Sequence, residues 1–209
     1  MSQQTNDRFN DLLLKFSQEP DKDDRDALEK EIWDSFGVTG SPLVVDMSGF
    51  TRLANSFGIV HYLSMVRRMQ LTSKPIIESY GGTLVKFEAD NAFAIFKTPG
   101  DAIRASIALH LAMDSANLLT PDELDIHLSC GIDHGECILP HSSDYFGAPV
   151  NRASKLGEDL AEPGQILVTP EAMKMVSEEL GFQSDTIELS VGGEMVPVQS
   201  IRFRRNGES

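Results

Sequence analysis

Apolar positions recur along this chain at two spacings, and the places where the spacing changes divide it into elements. Near the N-terminus Phe9, Leu12, Leu13 and Phe16 fall at helical intervals behind Asn6, which predicts a short amphipathic helix. Past Glu19-Pro20, Leu28, Ile32, Trp33 and Phe36 form a second stripe beneath an acidic face, so residues 1–40 read as an N-terminal helical extension. Such a stripe needs a covering surface, either on the same chain or on another subunit or regulatory partner. At Pro42 the pattern becomes a continuous apolar run, Leu43-Val44-Val45, ending on Asp46. That run predicts a short, fully buried strand, and Met47, Ser48, Gly49, Phe50 and Thr51 after it read as a tight turn into a helix start.

The rest of the chain, residues 41–209, reads as one domain. Ile59 to Tyr80 predicts a long helix with Tyr62, Leu63, Val66, Met69 and Ile76 on one face, and Pro75 as a bend or break. Gly81-Gly82 stops it, and TLVKFEA and NAFAIF, separated by Asp90 and Asn91, predict a hairpin with an acid at its tip. Pro99 to about Ala116 predicts a helix carrying Ile103, Ile107, Leu111 and Ala112 inward. Ile126, Leu128, Cys130 and Ile132 alternate with polar residues as in a strand with one buried face, and ECIL returns after Gly135. DYFG leads to a helix ending near Leu160, QILVT is a strand, Thr169-Pro170 starts a helix through Leu180, and two strand-like runs flank Gly192-Gly193. The order β, α, β, β, α, β with appended elements predicts an α+β, ferredoxin-like domain, with helices on one face of a mainly antiparallel sheet.

Composition narrows the function classes. The 209 residues carry a formal net charge of −14, which argues against general nucleic-acid or anionic-membrane binding, because a phosphate surface demands a basic face. No apolar run approaches the ~20 residues of a spanning helix, and MSQQTNDRFN has no signal-peptide core, so a cytoplasmic protein without a membrane span is expected. Cys130 and Cys137 alternate with apolar residues and read as reduced, buried thiols. The five histidines show no metal-ligand spacing.

The chemistry concentrates on Asp46 and Asp90. In a β-α-β-β arrangement a strand-end acid and a hairpin-tip acid meet at one edge of the sheet, where they can hold a pair of Mg²⁺ or Mn²⁺ ions around a triphosphate. The free N–H groups of a Gly turn entering a helix attract phosphate oxygens, which makes Gly49, Phe50 and Thr51 candidate substrate contacts.

On these segments the sequence resembles a class III nucleotidyl cyclase domain over about Pro42 to Phe203. VVDMSGFT resembles the first metal-binding element of that family, GGTLVKFEADNAFAIF the second, and DYFGAPVNRASKL the substrate and transition-state segment. The resemblance implies that Asp46 and Asp90 are the metal ligands, joined by the Met47 carbonyl, and that Lys86 and Asp144 read the base. An ammonium donating to N1 and a carboxylate accepting from the 6-amino group suit adenine, so ATP is favoured over GTP. Asn151 falls where the family positions the ribose. Lys155 stands where the family has a transition-state Arg, and it lacks the planar fork, so Arg152 one turn earlier is a candidate to contribute. Ala89 replaces a common Gly, and Glu88 adds charge near the hairpin tip. The implied activity is conversion of ATP to 3′,5′-cyclic AMP and pyrophosphate by two-metal catalysis, at sites shared between the subunits of a homodimer. The alternatives are a pyrimidine nucleotide cyclase making cyclic CMP or UMP, and a degenerate cyclase domain that binds nucleotide or a partner without turnover.

Overall fold

The apolar run at Leu43 lies in the middle of the sheet. The computed structural model describes residues 2–48, 56–141, 144–191 and 193–204. Its elements are α1 (Ser2–Gln18), α2 (Lys22–Phe36), β1 (Gly37–Met47), α3 (Ile59–Ser79), β2 (Thr83–Glu88), β3 (Asn91–Phe96), α4 (Pro99–Asn117), β4 (Leu128–Ile132), β5 (Gly135–His141), β6 (Asp144–Phe146), α5 (Ala148–Ser154), β7 (Ile166–Val168), α6 (Pro170–Met173), β8 (Gln183–Val191) and β9 (Glu194–Arg202). The main strand order is β2-β3-β1-β4-β7-β9-β8, with β5 and β6 attached to the side of β1. Its first four strands stand in the expected ferredoxin-like order and pair antiparallel; β4 and β7 are parallel.

β1 is longer than the apolar run suggests. Its first half, Gly37–Gly40, pairs with β5, and its second half lies between β3 and β4. Leu43 and Val45 face the large core under α3 and α4, while Val44 faces a second core with Phe93, Tyr145, Val150 and Ala153. All three are fully buried, each worth about 1.5–3 kcal/mol of apolar transfer, and this clamps the strand that ends in Asp46. The sheet is therefore covered on both faces, where the sequence predicts helices on one. The same fact explains β4: it is buried at all five positions, not on alternate ones, because α5 presses on its second face. A side chain at Gly131 would collide with the Ala153 carbonyl.

Several helix faces are rotated from expectation. α3 runs through Pro75 and buries Tyr62, Met65, Val66, Met69, Ser73 and Ile77, leaving Leu63 exposed. α4 buries Leu109, His110 and Met113 together with Ile103, while Ile107, Leu111 and Ala112 sit at the margin. α6 stops at Met173 and Glu178–Leu180 is only a 3₁₀ turn. Each shift follows from where the sheet lies, which period alone does not specify.

α1 and α2 form a hairpin whose stripes close on Ile138 of β5 through Phe9, Leu12, Ile32 and Phe36. Asp21 caps α2 by accepting from the N–H groups of Asp23 at 2.8 Å and Asp24 at 3.3 Å. Burial pushes the thiols of Cys130 and Cys137 up to about 12 and about 11, which leaves them protonated and unreactive. Among the described residues no helix is long and apolar enough to cross a membrane.

Candidate active site

Asp46 is the penultimate residue of β1 and pairs across the ladder with Asn91, so Asp90, in the two-residue turn between β2 and β3, is one position away. The acids thus meet at one end of the sheet, as the order of elements predicts. The Asp46 carboxyl is pushed up to about 7. Its burial contributes most, then the charges of Asp90 and Glu158, while the Met47 N–H and the Ser129 hydroxyl pull the other way. The Ser129 proton is contested, since that hydroxyl also donates to the Gly157 carbonyl at 3.0 Å. Met47 ends the strand with its side chain in the core. Gly49, Phe50 and Thr51 lie outside the described residues.

Two neighbours of these acids escaped the reading of the sequence. Glu158 lies in the π-helical stretch Lys155–Leu160 that continues α5, and its carboxyl is raised first by burial and then by the surrounding acids Asp159, Glu88 and Asp90, against a hydrogen bond from Ser154. Its spacing of seven from Asn151, which in a regular α-helix would place both on one face, was the available signal. Tyr62 belongs to the core stripe of α3, yet its hydroxyl is pushed up to about 12 by burial and by Asp90.

A hard divalent cation fits this end of the sheet. Two repelling carboxylates and the buried Asn91 Oδ1, which has no hydrogen-bond partner, are all oxygen donors. Among the described residues no group of three or more acidic, His or Cys side chains is arranged to hold a metal. Further ligands would have to be backbone oxygens, water or substrate, the pattern Mg²⁺ accepts.

Ala89 has φ 50°, inside the left-handed region. A Cβ there costs about 1–2 kcal/mol, which accounts physically for Gly at this turn in the resembling family. Ala89→Gly is expected to stabilise the fold by about 1 kcal/mol after the entropy of a freer unfolded chain is subtracted, seen as a higher denaturation midpoint. An unchanged or lowered midpoint would mean the turn is not strained.

Lys86, on β2, and Asp144, on β6, are brought together. The Lys86 ammonium is 3.3 Å from Asp144 Oδ1, 2.7 Å from Glu88 Oε2 and 5.0 Å from the centre of the Phe93 ring. Its pKa is raised chiefly by Glu88 and further by Asp144, against a lowering by burial. Glu88 is therefore part of this cluster, not only a charge at the hairpin tip.

Asn151 and Lys155 are exposed on α5 and its π-helical continuation. Lys155 Nζ is 2.7 Å from Asp159 Oδ2, and among the described residues neither side chain bonds to Asp46 or Asp90. Arg152 is committed elsewhere. Its Nε donates to the fully buried Asp133 at 2.6 Å, and the other oxygen of that carboxylate accepts from the Thr169 hydroxyl. It anchors α5 to the body of the domain, so the suggestion that it supplements Lys155 is not supported by this geometry.

With this geometry in view, comparison with known proteins is decisive for the family. Residues 41–198 match the model of the adenylate and guanylate cyclase catalytic domain. The chain belongs to this family. The protein named "Putative adenylate cyclase 3" of Rhizobium meliloti is 28% identical over 127 residues, 61% of this chain and 21% of its own length; the match thus spans about a fifth of that relative. The crystal structure of the adenylyl cyclase CyaB from P. aeruginosa superposes with TM-score 0.66 at 20% identity, covering 83% of this chain and 99% of CyaB. The guanylyl cyclase Cya2 superposes with TM-score 0.67 at 16% identity, covering 79% and 92%. These likenesses extend the shared fold over nearly the whole cyclase domain. They do so equally for an adenylyl and a guanylyl enzyme, so the fold does not discriminate the base.

Proposed function

We propose that the chain is a nucleotidyl cyclase that forms 3′,5′-cyclic AMP and pyrophosphate from ATP, with each site completed by a second copy of the chain. The observation that carries the base assignment is the Lys86–Asp144 pair. Its ammonium offers a donor and its carboxylate an acceptor, which match adenine N1 and the 6-amino group; guanine presents the reverse. The likeness to adenylyl and guanylyl cyclases alike leaves this choice to side chains.

In this reading Asp46 and Asp90 hold the metal, and Mg²⁺ or Mn²⁺ bound there would neutralise the triphosphate and ease ionisation of the ribose 3′-hydroxyl. The residues of the chain do the rest. Lys86 and Asp144 orient the base, Asn151 positions the ribose so that its 3′-oxygen faces the α-phosphorus, and Lys155 leaves Asp159 to balance charge on the phosphates as pyrophosphate departs. A second reading, nucleotide binding without turnover, is favoured by one observation: the Lys155 ammonium is already neutralised by Asp159.

The test is incubation of the protein with each of the four nucleoside triphosphates plus Mg²⁺ or Mn²⁺ and separation of the products. Cyclic AMP is expected as the main product; cyclic CMP or UMP would point to a pyrimidine enzyme, and no product to the binding module. Substituting Lys86 and Asp144 together is expected to lower use of ATP, and its affinity relative to GTP, about 10-fold or more, while affinity for inorganic triphosphate changes little, because the phosphates are held elsewhere. An unaltered nucleotide preference in that variant would remove both residues from base reading.

A further inference from the structure

β6, which carries Asp144, is three residues long and pairs only with β5, across a register irregularity between Ile138 and His141. A strand so short has little to fix it. A partly exposed ion pair such as Lys86–Asp144, with side-chain exposures of 29% and 37%, also holds its members weakly. Position must come from the flanking side chains. Tyr145 points into the sheet and meets the Phe93 ring edge-on at 6.4 Å. Asp144 and Phe146, two apart, share the opposite face of the strand.

On that face the N-terminal hairpin is the neighbour. Phe9 of α1 stacks on Phe146 with ring centres 6.2 Å apart and planes 15° apart, and it meets Phe36 of α2 edge-on at 5.2 Å. Phe9 is buried, and Ile138, the ladder partner of Phe146, closes on the same cluster. Arg8 braces the two helices, donating to Glu31 at 3.0 Å and to Ser35 at 3.3 Å. α2 runs straight into β1 at Gly37, which is itself paired with Ile138. The hairpin is thus fastened at one end to the strand that carries Asp46 and, through Phe9, to the strand that carries Asp144.

We infer that the α1–α2 hairpin is a specificity element: the Phe9–Phe146 stack positions Asp144 against Lys86, so that Phe9 and Phe146 are positioning residues for base recognition. The inference rests on the reading of Lys86 and Asp144 as the base-reading pair. It gives the N-terminal extension a role within its own chain, and it means that anything shifting α1 would be felt as altered nucleotide preference.

The test is direct titration of the full chain with ATP and with GTP in the presence of Mn²⁺, which reads affinity whether or not turnover occurs. Phe146 is 46% exposed, so Phe146→Ala spares the core; Phe9→Leu keeps most of the apolar volume while removing the stack. Both are expected to lower the ratio of ATP to GTP affinity by about 3- to 10-fold, the range of an aromatic pair. Adding Phe146→Ala to a Lys86→Ala/Asp144→Ala variant is expected to change the ratio no further, since both act through one contact. A constant ratio in both aromatic variants, with or without a lower melting temperature, would make the stack merely structural and overturn the inference. If the Lys86/Asp144 variant itself keeps the wild-type ratio while the aromatic variants alter it, the base-reading premise falls instead, and the proposed route through Asp144 falls with it.

Discussion

Asp46→Ala and Asp90→Ala are each expected to reduce cyclic nucleotide formation by roughly 100-fold or more, because on the proposed reading either change removes a metal ligand worth several kcal/mol of transition-state charge stabilisation. The fold should survive both. Asp90 lies in a surface turn, and Asp46 ends a strand whose hold comes from Leu43, Val44 and Val45. Circular dichroism and product assays on the same preparations check this, and near-wild-type turnover in either variant would remove the metal assignment.

The same carboxyl makes a pH prediction. Folding raises Asp46 from 3.8 to about 7, so the metal-free folded protein binds its proton more tightly than the unfolded chain. Its contribution to stability is present below the unfolded value and is lost as pH rises through about 7. Asp46→Asn should therefore raise the melting temperature at pH 8 without metal, by about a few degrees, and have little effect at pH 4. Divalent metal should stabilise the wild type more than the variant; equal responses would show that Asp46 does not bind it.

The second large effect is recovery of activity on mixing two inactive proteins. If a site draws Asp46 and Asp90 from one copy and Asn151 and Lys155 from the other, Asp46→Ala and Asn151→Ala chains each lack a different half. A mixed dimer then has one site with both defects and one with neither. Random exchange of equal amounts makes about half the dimers mixed, each with one working site of two, so roughly a quarter of the wild-type rate per chain is expected. This fits a chain in which Lys155 bonds to Asp159 and not to the two acids. Subunits that demonstrably exchange and yet stay inactive would mean a site complete within one chain, or none.

Asp46 and Asp90 were legible because each marks a boundary between elements, and boundaries follow from local composition: an apolar run that stops, a hairpin that needs a turn. The meeting of Lys86 with Asp144 came from family resemblance, since 58 positions separate them and no local pattern encodes a contact at that range. Glu158 and Tyr62 were missed for opposite reasons. Glu158 went unremarked among the many acids of the chain, and Tyr62 read as one more core residue, until the fold placed Asp90 near both. Arg152 looked available, and only the buried Asp133 shows that it is taken.

By itself the sequence determined the order of elements, the ferredoxin-like strand order and the place of Asp46 and Asp90, because periodicity, turn chemistry and handed connections are set within short stretches of chain. What only the tertiary structure decided was which faces were covered and which charges met. β1 began at Gly37, not after Pro42, because β5 paired with its first half. β4 was buried on both sides because α5 lay against it. The N-terminal stripes found their cover on β5 and β6. Burial and electrostatic coupling depend on distance in space, and that distance exists only once the chain has closed on itself.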